Sequence, residues 1–265
     1  MSIIKKILLG LSVLAFCTQA IAEEKKELLF YIGITMVKPV YELSQLFEQK
    51  HGCKIKILQG GSQDLYDSIK MSGTGDLYLP GSLSYRQQNI KDGLLLEGKF
   101  VGYNKASLVV KKGNPKGISA DLNVLTNEKY RVVLGNAESG SIGNATKKIL
   151  TKFGNYEEAM INAIFLAPDS RNLTKAIKED DADVVLNWYA TTFWDDNANY
   201  VEPLVLPEQY ANKAKLVFNL LKSSTHPTLA KAFMEFDASR EGRGIFYKYG
   251  FLDSDDLKNF DEVRF

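Results

Sequence analysis

Four short clusters of glycine and hydroxyl residues carry the chemistry this chain could do. They are Gly33 with Thr35, Gly60-Gly61-Ser62, Ser139-Gly140-Ser141, and Ser170 with Asn172. Each follows an apolar run and opens a stretch of helical spacing. A helix start presents unpaired backbone N–H groups and a partial positive charge. Four such starts facing one cleft would hold an anion without a metal and with little side-chain charge. Taken singly, Thr35 and Ser62 also read as plain N-caps, which are common. Repetition at one end of a parallel sheet favours a site, because open α/β sheets bind ligands at strand carboxyl ends.

Charged and aromatic neighbours leave the anion open. Arg171 beside the fourth cluster suits a sulfate, phosphate or organic phosphoryl group, and equally a pairing with Asp169 or its own helix. Glu138 beside the third suits a protonated oxyanion or an expanded coordination sphere, and equally an electrostatic cap. Arg86 stands apart, and Trp188 and Trp194 read as core or interface aromatics. Enzymatic readings lack their parts. His51 and His226 are far apart, and no clustered Cys/His pattern or H-x-x-x-H occurs. Ser139-Gly140-Ser141-Ile142-Gly143 does not have the G-x-S-x-G spacing. Gly73-x-Gly75 lacks a third glycine three residues on, and no glycine loop is followed by G-K-[ST]. No catalytic residue, cofactor or metal site is expected.

The elements that would position these clusters alternate. A strand over 28–32 precedes a helix carrying Met36, Val40, Leu43 and Phe47, with Thr35 as its cap and Gly52 as its stop. A strand over 55–58 precedes a helix capped by Ser62, and a third strand covers 76–79. This β-α-β-α-β order is that of a parallel sheet wrapped by helices. A strand at 106–110 and the turn Lys112-Gly113-Asn114-Pro115 lead into a second unit. It has strands at 131–134, 164–167 and 183–188, and helices from Ser141, Tyr156 and Ser170. A strand at 215–221 and helices from Pro227 and Ser239 close the chain. The segment between Ser82 and Ala106 carries no helix or strand expectation.

At the amino end, Lys5-Lys6, the apolar run 7–16 and Ala20-Ile21-Ala22 read as a secretory leader cleaved after Ala22. The apolar run is too short for a stable membrane span, and Phe16 is bulky where a lipoprotein signal at Cys17 would have a small residue. Cleavage leaves Cys53 alone, a buried small hydrophobe with no intrachain partner. Thirty-three basic against 32 acidic residues gives a net charge of +1, which implies no nucleic-acid partner. A soluble monomer is expected, in two lobes rather than one core.

These pieces together resemble a family. The chain resembles the periplasmic type-2 substrate-binding proteins of ABC importers, and within them is most similar to molybdate/tungstate-binding proteins. The resemblance rests on the opening strand with Thr35, Gly60-Gly61-Ser62 with Leu65, Asp76-Leu77-Tyr78-Leu79, Lys112-Gly113-Asn114-Pro115, Ala182-Asp183, His226-Pro227, Glu241-Gly242 and Tyr249-Gly250-Phe251. It implies an α/β fold of two lobes, each a mixed, mostly parallel sheet flanked by helices, joined by a hinge. Lobe I would comprise 23–103 and 204–265, lobe II 104–203, and the leader 1–22.

By position, the resemblance implies that Thr35, Gly61 and Ser62 donate from lobe I, and Ser139, Gly140 and Ser141 from lobe II. Asn172 and Leu173 would form a helix start that donates a backbone N–H. Arg171 flanks the site, and Asn187 or Trp188 falls where the family often has a tyrosine donor. The implied ligand is a small oxyanion, with molybdate or tungstate favoured over sulfate, phosphate or a phosphorylated organic anion. The implied partner is an inner-membrane ABC permease. An adhesin on the same fold and an exported hydrolase are the alternatives from other classes.

Overall fold

The computed structural model describes residues 26–211 and 213–265; the expected leader, including Cys17 and the 20–22 cleavage signature, lies outside the described residues. The strands are β1 (Glu27–Gly33), β2 (Lys54–Gly60), β3 (Leu77–Leu79), β4 (Leu95–Asn104), β5 (Ala106–Lys111), β6 (Val132–Gly135), β7 (Ala163–Ala167), β8 (Val184–Trp188), β9 (Val201–Val205) and β10 (Ala214–Leu221). They form two five-stranded sheets, in the orders β2-β1-β3-β10-β4 and β7-β6-β8-β5-β9. In each, three parallel strands are extended by two antiparallel pairings, so that one strand, β10 or β5, runs against the other four. This is the two-lobe α/β architecture expected from the sequence.

Burial explains the parallel part. Leu28, Phe30, Tyr31 and Ile32 of β1 are all buried, so both faces of the strand are covered. Helix α1 (Val37–His51) covers one face with Val40, Leu43 and Phe47, a helical spacing. Phe47 meets Phe233 of the tail at 5.0 Å, and Phe30 meets Phe218 at 5.1 Å. Helix α2 (Ser62–Ser72) covers the other face through Leu65, Tyr66 and Ile69. Asp76 fastens the tail to this sheet. One carboxylate oxygen accepts the Leu29 N–H at 2.8 Å, and the other accepts the Ser224 hydroxyl at 2.6 Å and the Thr225 N–H at 3.1 Å.

Three cap expectations shift by one or two residues. Thr35 lies inside a 3-10 turn, Ile34–Met36, and caps nothing, because the chain turns straight out of β1 before α1 begins. Gly61 is the N-cap of α2, with Ser62 its first helical residue. Asp169, not Ser170, caps α6 (Ser170–Lys178), since its carboxylate takes the Asn172 N–H. The unassigned segment holds helix α3 (Leu83–Asn89) and the ten-residue β4. Gly98, Gly102, Glu97 and Lys99 broke the apolar signal of that strand. The expected lobe boundaries move slightly as well. Asn104 pairs with Ala214 in the first sheet, and β9 runs to Val205 in the second. The chain therefore crosses between sheets at Lys105 and between Val205 and Ala214.

Asp183, at the head of β8, holds the second lobe's loops together. It accepts from Lys116 Nζ at 2.8 Å, the Arg131 backbone N–H at 2.9 Å and Arg131 Nη2 at 2.8 Å. Burial alone would raise its pKa, but the hydrogen bonds from Arg131 and Lys116 win and hold the carboxyl at about 2. Folded-state pKa below the unfolded value means stability present above the unfolded pKa and lost as pH falls toward the folded one. Asp183→Asn is expected to cost about 2 kcal/mol at pH 7, with the difference shrinking as pH falls from about 4 toward 2. Urea unfolding of both proteins across that range checks it; a difference that did not change with pH would rule out this ion pair as the cause.

Candidate functional site

The carboxyl ends of β1, β2, β6 and β7 run into helices whose first residues meet between the lobes. A small cavity there is lined by Gly33, Ile34 and Thr35, by Gly60, Gly61 and Ser62, by Gly140, Ser141 and Ile142, and by Asp169 and Ser170. Its volume is ≈ 10 Å³, about the minimum that admits one water-sized centre. No lysine or arginine is among these residues. Thr35, Ser62 and Ser170 are each only 2% exposed.

The hydroxyls are arranged as donors. Ser62 Oγ accepts the Gly81 N–H at 3.0 Å, which leaves its own proton for the cavity. Tyr78 fixes the Ser62 backbone by donating to its carbonyl at 2.8 Å. Burial pushes the Tyr78 phenol well up, so it remains a neutral donor. Ser141 Oγ lies 3.3 Å from Trp188 Nε1, which can only donate, so the Ser141 proton is also uncommitted. Thr35 Oγ1 and Ser170 Oγ are 3.2 Å apart across the lobes. One donates to the other, and the acceptor keeps a proton free.

Helix starts add N–H groups. Helix α4 (Ser141–Phe153) follows Gly140, and its first N–H groups lack intrahelical partners. In α6 the positions differ from those implied by the resemblance. The Asn172 N–H is taken by Asp169 Oδ1 at 2.9 Å, and the Leu173 N–H bonds the Asp169 carbonyl at 3.1 Å. The two N–H groups before them, on Ser170 and Arg171, are the ones that have no partner among the described residues. Asp169 brings a carboxylate to the rim, but Oδ1 is engaged by both the backbone and the side-chain amide of Asn172.

The other candidates sit outside the cavity. Ser139 donates its hydroxyl to the Pro168 carbonyl at 2.8 Å, and only its backbone faces the opposite lobe. Arg171 is exposed and bridges the lobes by donating to Gln59 Oε1 at 2.9 Å. Arg86 is held by the Asn219 side chain and the Leu96 carbonyl, away from the site. Glu138 is exposed and does not line the cavity. Asn187 is fully buried; its amide donates to the Ser170 carbonyl and Thr174 Oγ1, both at 2.9 Å, and its oxygen accepts the Trp188 N–H at 2.8 Å. Asn187 and Trp188 thus position Ser170 and Ser141 from behind. Asn187→Ala is expected to destabilise the protein by about 2 kcal/mol, because it strands buried partners. Urea denaturation measures this, and an unchanged midpoint would mean that the network carries no weight.

Sequence reasoning undervalued Ser170 as a cavity-facing group and missed Gly81, whose N–H orients Ser62 and whose carbonyl accepts from Asn104 at 2.9 Å. The Pro80-Gly81-Ser82 turn was the available signal. Beyond Gly81 and Ser141 a wider cleft of ≈ 250 Å³ opens, lined by Ser82, Lys148, Trp188 and Tyr210 among others. Among the described residues there is no group of three or more His, Cys, Asp or Glu placed to hold a metal ion. Nor is any helix there long and apolar enough to cross a membrane.

Residues 28–252 match the family described as bacterial extracellular solute-binding protein. The chain is 20% identical over 229 residues to the molybdate-binding protein ModA of Rhodobacter capsulatus, covering 85% of this chain and 88% of ModA. The periplasmic molybdate-binding protein of Azotobacter vinelandii superposes with a TM-score of 0.71 at 18% identity, covering 85% of this chain and 99% of that one. The sulfate-binding protein SubI of Mycobacterium tuberculosis superposes with a TM-score of 0.76 at 16% identity, covering 89% and 91%. At such identities the structural likeness establishes the fold.

Proposed function

The chain belongs to the family of bacterial extracellular solute-binding proteins, and from that premise we propose that it captures a small oxyanion, molybdate or tungstate, between its lobes. Delivery is to an ABC permease in the inner membrane, and the mature chain begins after Ala22 in the periplasm. The protein acts as a carrier rather than as a catalyst. The observation that supports this most is the set of hydroxyls from both lobes, of which Ser62, Ser141 and one of the Thr35–Ser170 pair keep an uncommitted proton beside a cavity without basic side chains. Such a donor array suits a compact anion. Because the donors come from both lobes, the anion binds the closed form best and draws the population to it. Selectivity then rests on cavity size and fixed donor directions.

A thermal-shift panel tests the reading, with molybdate, tungstate, sulfate, phosphate and small phosphorylated compounds added to the mature protein. Ligands that bind only the native state raise its melting temperature. Molybdate and tungstate are expected to do so and sulfate not. A shift with phosphorylated organic compounds alone would move the site to the wider cleft beside Lys148 and overturn the choice of anion. Removing one donor, by Thr35→Ala or Ser62→Ala, is expected to weaken binding by about 1 to 2 kcal/mol. Calorimetric titration reads this directly, and unchanged affinity in both variants would remove these hydroxyls from the site.

A further inference from the structure

The turn between β3 and α3 is held by side chains. β3 ends at Leu79, where its ladder with β1 stops at Ile32, and α3 begins only at Leu83. Gly81, in between, finds no backbone partner among the described residues. Its N–H donates to Ser62 Oγ at 3.0 Å, and its carbonyl accepts from Asn104 Nδ2 at 2.9 Å, both bonds being buried. Buried backbone groups have to be paired somewhere, so Ser62 and Asn104 together decide where Gly81 sits.

Asn104 is a fixed donor. It ends β4 beside the crossover at Lys105, pairs with Ala214 in the first sheet and is fully buried. Its Nδ2 carries two protons and has two acceptors, the Gly81 carbonyl and, at 3.8 Å, Met36 Sδ. Its Oδ1 has no partner among the described residues. A buried acceptor left unpaired costs stability, so what Asn104 contributes is its donor half. The residue does not line the anion cavity; Ser62, at the other end of this chain of bonds, does.

We propose that Asn104 is a positioning residue for anion capture. Through the Gly81 carbonyl it holds the 80–82 turn where the Gly81 N–H occupies a lone pair of Ser62 and leaves the Ser62 proton to the cavity. Without that amide the turn retreats, and the Ser62 hydroxyl rotates among its staggered positions. The donor then has to be ordered when the anion binds instead of beforehand, which costs affinity. The effect on affinity rests on the oxyanion reading given above, whereas the hold on Gly81 does not.

Asn104→Leu removes the donor at similar size, and Asn104→Ala guards against a leucine that does not fit. Each strands the Gly81 carbonyl but also deletes the unpaired Oδ1, so the urea midpoint is expected to move little. Calorimetric titration with molybdate is expected to show affinity weakened about fivefold. In Ser62→Ala protein the same change is expected to cost less than about twofold more, because the group it aims is gone. In Ser170→Ala protein, which lacks a hydroxyl of the other lobe, the two losses are expected to multiply. Hydrogen exchange at the Gly81 amide, measured without ligand and relative to the amides of β1, is expected to quicken roughly tenfold in both Asn104 variants. Wild-type affinity in those variants, the full loss repeated in Ser62→Ala protein, or an unchanged Gly81 exchange rate overturns the proposal. A wild type that takes up no molybdate, with exchange at Gly81 still quickened in the variants, removes molybdate as the anion and leaves the positioning of Ser62 standing.

Discussion

A methyl group placed at Gly61 is expected to cost the protein about 100-fold in oxyanion affinity, ~2.7 kcal/mol, and less than about 1 kcal/mol in folding stability. An added Cβ there would lie 2.2 Å from the Ser139 carbonyl oxygen, 3.1 Å from the carbon behind it and 2.9 Å from Asp64 Oδ2. Asp64 can rotate away, but Ser139 offers backbone, on the other lobe. The only relief is to move the lobes apart by roughly 1 Å, to restore an ordinary contact distance. Locally the change is mild. Gly61 has φ −65° and ψ 144°, which alanine adopts freely, and loss of glycine at an N-cap costs below about 1 kcal/mol. The affinity loss follows because the anion must be held from both sides, and hydrogen bonds weaken quickly once the donors on one side retreat. Titration of Gly61→Ala with molybdate and tungstate, beside a urea curve, separates the two effects. Affinity within threefold of wild type would show that closure as seen here is not the binding state. Gly81→Ala acts on the same contact, with a Cβ 2.1 Å from Ser141 Oγ and 2.8 Å from its Cβ. Its effect should share the sign.

Asp237→Asn is expected to stabilise the protein at neutral pH, the difference growing by at most about 1.4 kcal/mol per pH unit above the unfolded pKa. The residue ends α7 (Pro227–Asp237), is fully buried, and neither carboxylate oxygen has a hydrogen-bond partner among the described residues. Burial raises its pKa well above the ordinary carboxylate value. The folded protein therefore keeps the proton while the unfolded chain gives it up. Above the unfolded pKa of about 3.9, stability falls by about 1.4 kcal/mol per pH unit until the buried group ionises. Asparagine keeps the size and the neutral state without titrating. The two proteins should be similar near pH 4 and diverge as pH rises, which urea unfolding at pH 4, 5.5 and 7 would show. Parallel pH profiles would mean that Asp237 has a partner the structure does not reveal. Asp183 works in the opposite direction at lower pH.

Local chemistry written in the residues made much of this molecule legible. Phe47 and Val40 at helical spacing, the apolar run at 28–32, and Pro227 opening a helix each report their own element without long-range help. The glycine–hydroxyl turns likewise announced helix starts, and their repetition pointed to the place where the lobes enclose a cavity. The resemblance named the family, which the match over residues 28–252 establishes. β4 stayed hidden because Gly98, Gly102 and its charged residues make its sequence locally polar. Its strand state comes from pairing with β10, more than a hundred residues later.

Only the tertiary structure decided which of the hydroxyls face the cavity and which serve the fold. Ser139 and Ser141 are two residues apart, yet one bonds Pro168 and the other is oriented by Trp188 toward the cavity. Asn187 looked like a contact and proved to be a buried brace, since its partners Ser170 and Thr174 come from another element. The sequence by itself determined the fold class, the order of most elements other than α3, β4 and β9, and the kind of donors available, because these depend on backbone preference and burial over a few residues. Donor direction, cavity size and the hold of Asn104 on Gly81 depend on how separate segments pack. Those are properties of distances between atoms far apart in the chain, and local residue pattern does not encode them.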